Sequence, residues 1–254
     1  MIISLRKFLW RSLVGFCWGV FSISLPVSAA ELETTQVFIS NGQLEYVGEL
    51  DDGANQRLFD LYEKLANKPT LLSIRSPGGE VNTGMALGAW VYAHQLNVRV
   101  LEFCLSSCAN YVFTAAKQKI VSNFAVVGYH GGPGDVKNLK FDAKTEALLS
   151  TLGPEARKTM MDDFAKTIRL DGQREVAYFR KIGVRSDISS LGQDDQYEKF
   201  TSGAAGWTYS QEDFALLGVR NITVINPPWK PGGLLHGIVF ATIPVSKIPA
   251  PPRP

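Results

Sequence analysis

The sequence predicts an α/β domain, on three observations. Strand-type apolar runs alternate with segments whose apolar residues recur at helical spacing. That strand–helix alternation repeats along the chain, the pattern of an α/β fold. The turns that carry unusual residues fall just beyond the carboxyl ends of the predicted strands, where open α/β sheets place their ligands.

Gln36 to Ser40 and Leu44 to Gly48 read as strands around an Asn41-Gly42 turn. Leu58, Leu61, Tyr62 and Leu65 form the apolar face of a first helix, which Asn67-Lys68-Pro69 ends. Thr70 to Ile74 is a buried-type strand stopping at Ser76-Pro77-Gly78-Gly79, and a helix follows from Val81 to His94. Val98 to Phe103 is the next strand, Cys108 to Ala116 the next helix, and Ile120-Val121 and Ala125 to Gly128 are short strands. Pro133 to Lys140 reads as a loop. Helices are expected over Ala143 to Leu152, Glu155 to Leu170 and Gln173 to Ile182, with a polar loop from Asp187 to Gly206. Trp207 to Ser210 leads into a short helix, Gln211 to Leu217, that Gly218 caps, and Asn221 to Ile225 is a last strand. From Pro227 the chain is rich in proline and glycine and reads as an extended or disordered tail. The expected organisation is a leader of residues 1–30, a domain of 31–226 and a tail of 227–254.

The leader has the pattern of a secretory signal peptide. Arg6, Lys7 and Arg11 precede the uncharged stretch Ser12 to Val27, and Val27-Ser28-Ala29 puts small residues at a cleavage site after Ala29 or Ala30. The alternative is an uncleaved anchor, for which the run is short against the roughly 20 residues of a spanning helix. The leader holds three of the 26 basic residues and none of the 24 acidic ones, so its removal leaves 23 against 24. A near-neutral chain with no basic stripe or RNA-binding motif argues against a nucleic-acid partner. The expected location is the periplasm or the exterior, or the membrane surface if the leader is retained.

Three segments carry chemistry. Ser76-Pro77-Gly78-Gly79 offers backbone N–H groups on a glycine turn, Cys104-Leu105-Ser106-Ser107-Cys108-Ala109 offers a serine where a strand passes into a helix, and Gly128-Tyr129-His130-Gly131-Gly132 offers a histidine. An oxyanion hole, a nucleophile and a base are what acyl transfer at a serine requires. Cys104 and Cys108 are the two cysteines left once Cys17 departs with the leader. In an oxidising compartment they are expected to pair as a disulfide, with free thiols or a metal site as the alternatives. No nearby Cys/His pair completes a zinc set, and no motif implies a cofactor.

Those three segments, in this order, resemble the proteolytic subunit of the Clp protease within the Clp–crotonase superfamily. The match runs from about Gln43 to Gly132, through the Ile74 to Met85 strand, turn and helix, the Cys104 to Ala116 elbow and Gly128-Tyr129-His130 before a Gly-Gly pair. Trp207 to Gly218 resembles the family's closing strand–helix segment. The resemblance implies a spiral of strand–strand–helix units. It implies that Ser107 is the nucleophile, His130 the general base, and the backbone N–H groups of Gly79 and Cys108 the oxyanion hole. Ser106 is the alternative nucleophile if the elbow is shifted by one residue. Neither His94, late in a helix, nor His236, in the tail, falls on the family's histidine.

The family carries its orienting aspartate shortly before the closing segment, where Lys199 to Gly206 holds no acid. Asp194 and Asp195 are the nearest candidates, with Asp187 and Asp171 behind them, and Lys117 or Lys119 would offer a Ser–Lys dyad instead. The resemblance and the leader together imply an exported, ATP-independent hydrolase of peptide or acyl substrates that self-associates and works without an ATP-driven unfoldase. A catalytically silent peptide-binding or scaffold relative is the second reading. Crotonase-type chemistry on an acyl thioester is the third, and export from the coenzyme A pool argues against it.

Overall fold

The computed structural model describes residues 2–3, 34–133, 140–141, 143–230, 233–235 and 237–245. The leader apart from β1 (Ile2–Ile3), most of the loop between Pro133 and Lys140, His236 and the end of the tail lie outside the described residues.

Asn41 and Gly42 take positive φ (51° and 74°), as a two-residue hairpin turn requires, and join β2 (Gln36–Ser40) to β3 (Gln43–Val47). Asp51 then caps α1 (Asp52–Lys64), its carboxylate accepting from Ala54 N–H at 2.7 Å. β4 (Leu71–Arg75) follows, and Glu80 caps α2 (Val81–Ala93) by accepting from Thr83 N–H at 2.8 Å. The run expected as one strand over Val98 to Phe103 is two: β5 (Asn97–Val100) and β6 (Phe103–Leu105). The exposed pair Leu101 and Glu102 lies at the bend between them. After a π-helix (Cys108–Phe113) come β7 (Lys119–Ser122) and β8 (Val126–Gly128).

That bend organises the fold. β5 and β7 lie in a six-stranded sheet of order β11-β7-β5-β4-β3-β2, in which β11 is Ile222–Ile225 and only the β2–β3 hairpin is antiparallel. Past the bends the same chain segments pair again in a second layer. Leu50 N–H donates to Gly78 C=O, Leu105 N–H to Ser76 C=O, and β6 pairs in parallel with β8. Strand, bend, strand and helix is thus the repeating unit, as the resemblance implied. The core lies between the main sheet and the helices, with Leu44, Leu72, Val98 and Val121 facing Leu58, Leu87, Val91 and Val112.

The second half differs more from expectation. After β9 (Lys140–Phe141), which pairs with β1, come α3 (Ala143–Ser150) and one helix, α4 (Pro154–Ile182), where two were expected. An internal glycine costs a helix only about 1 kcal/mol against alanine, so Gly172 does not break it. Asp171 is also tied across to α2, accepting from Asn82 Nδ2 at 3.0 Å. The expected polar loop of Asp187 to Gly206 is three 3₁₀ turns followed by α5 (Glu198–Thr201), with Ile188, Leu191 and Tyr197 buried as anchors. β10 (Gly206–Thr208) and α6 (Gln211–Leu216) close this part. The expected tail continues as β12 (Gly233–Leu235) and β13 (Ile238–Thr242), a hairpin whose second strand pairs in parallel with β10. Isolated apolar positions such as Phe240 and Ile243, both buried, hold it down. Among the described residues no helix is long and apolar enough to cross a membrane.

Candidate active site

The elbow is built by close approach. Ser106 takes φ 55°, in the left-handed region that a non-glycine residue rarely adopts, and turns β6 into the π-helix. π-Bulges of this kind are common at functional sites. Ser107 sits at the start of that helix with 2 % of its surface exposed. The helix lies hard against α2 because Gly84 and Gly88 face it. A Cβ on Gly84 would stand 2.8 Å from Ser107 Cβ, and one on Gly88 2.6 Å from Tyr111 O. Cys104 and Cys108 are joined as a disulfide across the elbow, Cα to Cα 5.3 Å.

The glycine turn meets the elbow from the neighbouring strand. Gly78 takes φ 96°, and a Cβ there would lie 2.6 Å from Leu105 O and 3.0 Å from Ser107 N, so a side chain is excluded on both counts. Gly78 C=O accepts from Leu50 N–H. Across the trans peptide the Gly79 N–H therefore points the opposite way, toward the elbow. Gly79 C=O faces the elbow as well and accepts from Ser107 Oγ at 2.8 Å. The Cys108 N–H belongs to the first helical turn, where no intrahelical carbonyl is available to it, at the positive end of the helix dipole. Ser106, the alternative nucleophile, is half-buried at the turn itself and spends its backbone N–H on Gly128 C=O at 2.8 Å.

That bond sets the histidine strand in register with the elbow. Tyr129 pairs both ways with Trp207 of β10, and His130 follows at the surface. The surrounding chain lowers the His130 pKa by desolvation. The His130 carbonyl accepts from Gln193 Nε2 at 3.2 Å and the Gly131 carbonyl from Asn110 Nδ2 at 3.0 Å. Among the described residues the partner of Ser107 Oγ is Gly79 C=O rather than the imidazole.

The candidate acids fall differently. Asp194 and Asp195 are exposed on the turn after Gln193, and Asp194 accepts from Gln196 Nε2 at 3.5 Å. Partial burial raises the Asp194 pKa. Among the described residues neither carboxylate is hydrogen-bonded to the His130 ring. Asp187 pairs with Arg185, and Asp171 with Arg174 and Asn82. Lys119 is buried at the amino end of β7, its amine on Ala116 C=O at 2.7 Å and its pKa lowered by burial to about 8. It lies beyond the far end of the π-helix from Ser107, and Lys117 is exposed beside it. His94 uses Nδ1 on Trp90 C=O. Among the described residues no group of three or more His, Cys, Asp or Glu is placed to hold a metal ion.

Sequence reasoning missed a carboxylate. Glu175 of α4 is buried behind the histidine turn, accepting from Tyr111 OH at 2.8 Å and from Ser189 Oγ at 3.0 Å. Burial pushes its pKa up to about 7, against the lowering effect of the two hydroxyls. The signal was its place on the stripe Ile168, Asp171, Glu175, Tyr178 and Phe179, the buried residues of α4, at helical spacing.

No family model and no curated protein matches the chain. Among solved structures it is similar to a ClpP1 mutant from Listeria monocytogenes, at 16 % identity over 72 % of this chain and 90 % of that one, with a TM-score of 0.42. It is also similar to an enoyl-CoA hydratase/isomerase from Novosphingobium aromaticivorans, at 13 % identity over 36 % of this chain and 45 % of that one, TM-score 0.29. An enoyl-CoA hydratase from Streptomyces avermitilis matches at 12 % identity over 39 % of this chain and 48 % of that one, TM-score 0.29. The chain thus spans less than half the length of the two hydratases and nine tenths of the ClpP1 chain.

Proposed function

We propose that the chain is an exported serine hydrolase of the Clp–crotonase type, acting on peptide or acyl substrates without an unfoldase. The observation that carries this reading is the Ser107 hydroxyl at 2.8 Å from the Gly79 carbonyl, at the mouth of a buried helix and against a glycine turn. In the reaction Ser107 Oγ leaves Gly79 C=O and attacks the substrate carbonyl, passing its proton to His130. The oxyanion that forms lies toward the N–H groups of Cys108 and Gly79. Loss of one such donor typically costs roughly 2.7–4 kcal/mol of transition-state stabilisation. Collapse expels the amine or alcohol, which takes the proton from His130, and water then releases the acyl group by the same route in reverse. Asp195 and Asp194 follow the residue that binds the His130 carbonyl, which keeps them as weak candidates for the orienting acid. A dyad needs neither. A cleaved leader of residues 1–30 and self-association complete the reading.

The second reading, a catalytically silent binding protein, draws on the same geometry. The Ser107 proton is engaged by Gly79 C=O, and no carboxylate among the described residues orients His130. Fluorophosphonate labelling of the mature protein beside Ser107→Ala and His130→Ala separates the two. Labelling lost in both variants is the expected result. A folded wild type that does not label, with or without reductant, ends the hydrolase reading.

A further inference from the structure

Four polar side chains from three elements close on the turn that carries His130. Asn110, the third residue of the π-helix that Ser107 opens, donates its Nδ2 to Gly131 C=O at 3.0 Å. Tyr111 beside it donates to Glu175 Oε1 at 2.8 Å, and Ser189 Oγ donates to the same oxygen at 3.0 Å. Glu175 and Ser189 also wall Gly132, where a Cβ would meet Ser189 Oγ at 2.8 Å and Glu175 Oε1 at 2.9 Å. All four are buried, with 2 % of Asn110 and 8 % of Glu175 exposed.

Packing alone does not call for such a cluster, since an apolar filling avoids the desolvation of buried polar groups. The orientation of the Asn110 amide is also specific. Its Oδ1 is buried without a partner, and flipping the amide would set two acceptors, Oδ1 and Gly131 O, against each other. The amide therefore accepts an orphaned oxygen in order to keep its N–H on Gly131.

We propose that Asn110, backed by Tyr111, Glu175 and Ser189, positions His130 by its main chain, holding the His130–Gly132 turn in register with the helix that carries Ser107. This rests on the hydrolase reading above. Ser107 and Asn110 share one helix, which the disulfide pins to β6, so the Asn110–Gly131 bond transmits the position of the nucleophile directly to the base. Clamping of the backbone takes over the orienting work of a carboxylate on the imidazole. None of the four is a catalytic residue.

The test uses the mature protein with Asn110→Ala, Asn110→Leu, Glu175→Gln and Glu175→Leu, and two readouts. The first is deuterium uptake across residues 126–133. The second is fluorophosphonate inactivation resolved into a half-saturating concentration and a maximal rate. Asn110→Ala and Glu175→Leu are expected to raise uptake at the turn while the main sheet keeps its protection, and to lower the maximal rate by about a hundredfold at unchanged half-saturation. Glu175→Gln, which keeps shape and hydrogen bonding, is expected to stay near wild type. Asn110→Leu, of similar size but with no donor, carries the test if Asn110→Ala fails to fold. Uptake at the turn unchanged in the variants that remove the Asn110 donor and in Glu175→Leu overturns the proposal. So does a Glu175→Gln protein as impaired as Glu175→Leu. If the wild type does not label at all, the hydrolase reading falls and the uptake still decides whether the clamp exists.

Discussion

From Ser107 through Ala116 every residue is buried, whereas His130 and the acids Asp194 and Asp195 are exposed. The serine side is fixed by contact: two glycines of α2 against the π-helix, a glycine turn against the elbow and a disulfide across it. The histidine side is fixed by a few polar bonds to main-chain carbonyls. In the core a misplaced atom costs stability because nothing gives way. Where a few polar bonds hold a turn, losing one costs mainly geometry. Changes on the serine side should therefore be read in folding, and loss of the Asn110 or Gln193 bond mainly in the geometry of the histidine turn.

The sharpest way to break that comparison is Gly79→Ala. A Cβ there runs into the main-chain oxygen of Leu50, which has no rotamer to escape through. The expected cost is about 3 kcal/mol or more, seen as a Tm lower by roughly 6–12 °C. An unchanged Tm would mean that the turn gives more readily than its contacts imply. Next is the pH dependence from Glu175, whose folded pKa is raised to about 7 from an ordinary 4.5. The folded state holds its proton longer than the unfolded one. The stability this provides is full below about pH 4.5 and lost as pH rises through about 7, a change on the order of 2–3 kcal/mol. Urea midpoints at pH 5 and pH 8 should differ accordingly, and Glu175→Gln should flatten the difference. A wild type with flat midpoints would show Glu175 to be solvated.

Smaller effects sharpen the contrast. Replacing Cys104 and Cys108 together by serine removes a short covalent loop, an expected loss of about 2 kcal/mol by chain entropy, measurable by thermal unfolding with and without reductant. Least of all, Asp194→Asn with Asp195→Asn should leave stability within about 0.5 kcal/mol and fluorophosphonate labelling near wild type. A loss approaching 10⁴-fold, the scale of removing the aspartate from a full triad, would instead make one of them the orienting acid.

What was legible in the sequence followed the same division. The Asn41-Gly42 hairpin, the Ser-Pro-Gly-Gly turn and the elbow are local signals, and local chemistry settles them: positive φ at Gly42 and Gly78, a cap at Asp51, a cap at Glu80. The bend at Leu101 and Glu102 was not legible, because the run Val98 to Phe103 is apolar enough for one strand and only the second layer shows where it must turn. Propensity divides α4 at Asp171-Gly172 because it does not see the bond to Asn82. Glu175 and Asn110 escape a local reading, since a glutamate in an amphipathic helix and an asparagine in an apolar one are individually unremarked. Their partners lie 64 and 21 residues away along the chain. The hairpin of β12 and β13 hid behind proline and glycine, whose abundance suggested a tail although Phe240 and Ile243 needed somewhere to go.

That hairpin bears on when the protein can work. β13 pairs with β10, Trp207 of β10 pairs with Tyr129, and the Phe240 ring lies over Gly128, where an added Cβ would stand 2.5 Å from it. The histidine turn is therefore braced by residues made more than a hundred positions later. A nascent chain still on the ribosome holds Ser107 and His130 already but lacks the strand that braces the turn carrying His130. The turn that carries His130 therefore gains its full brace only once the chain is made through residue 242.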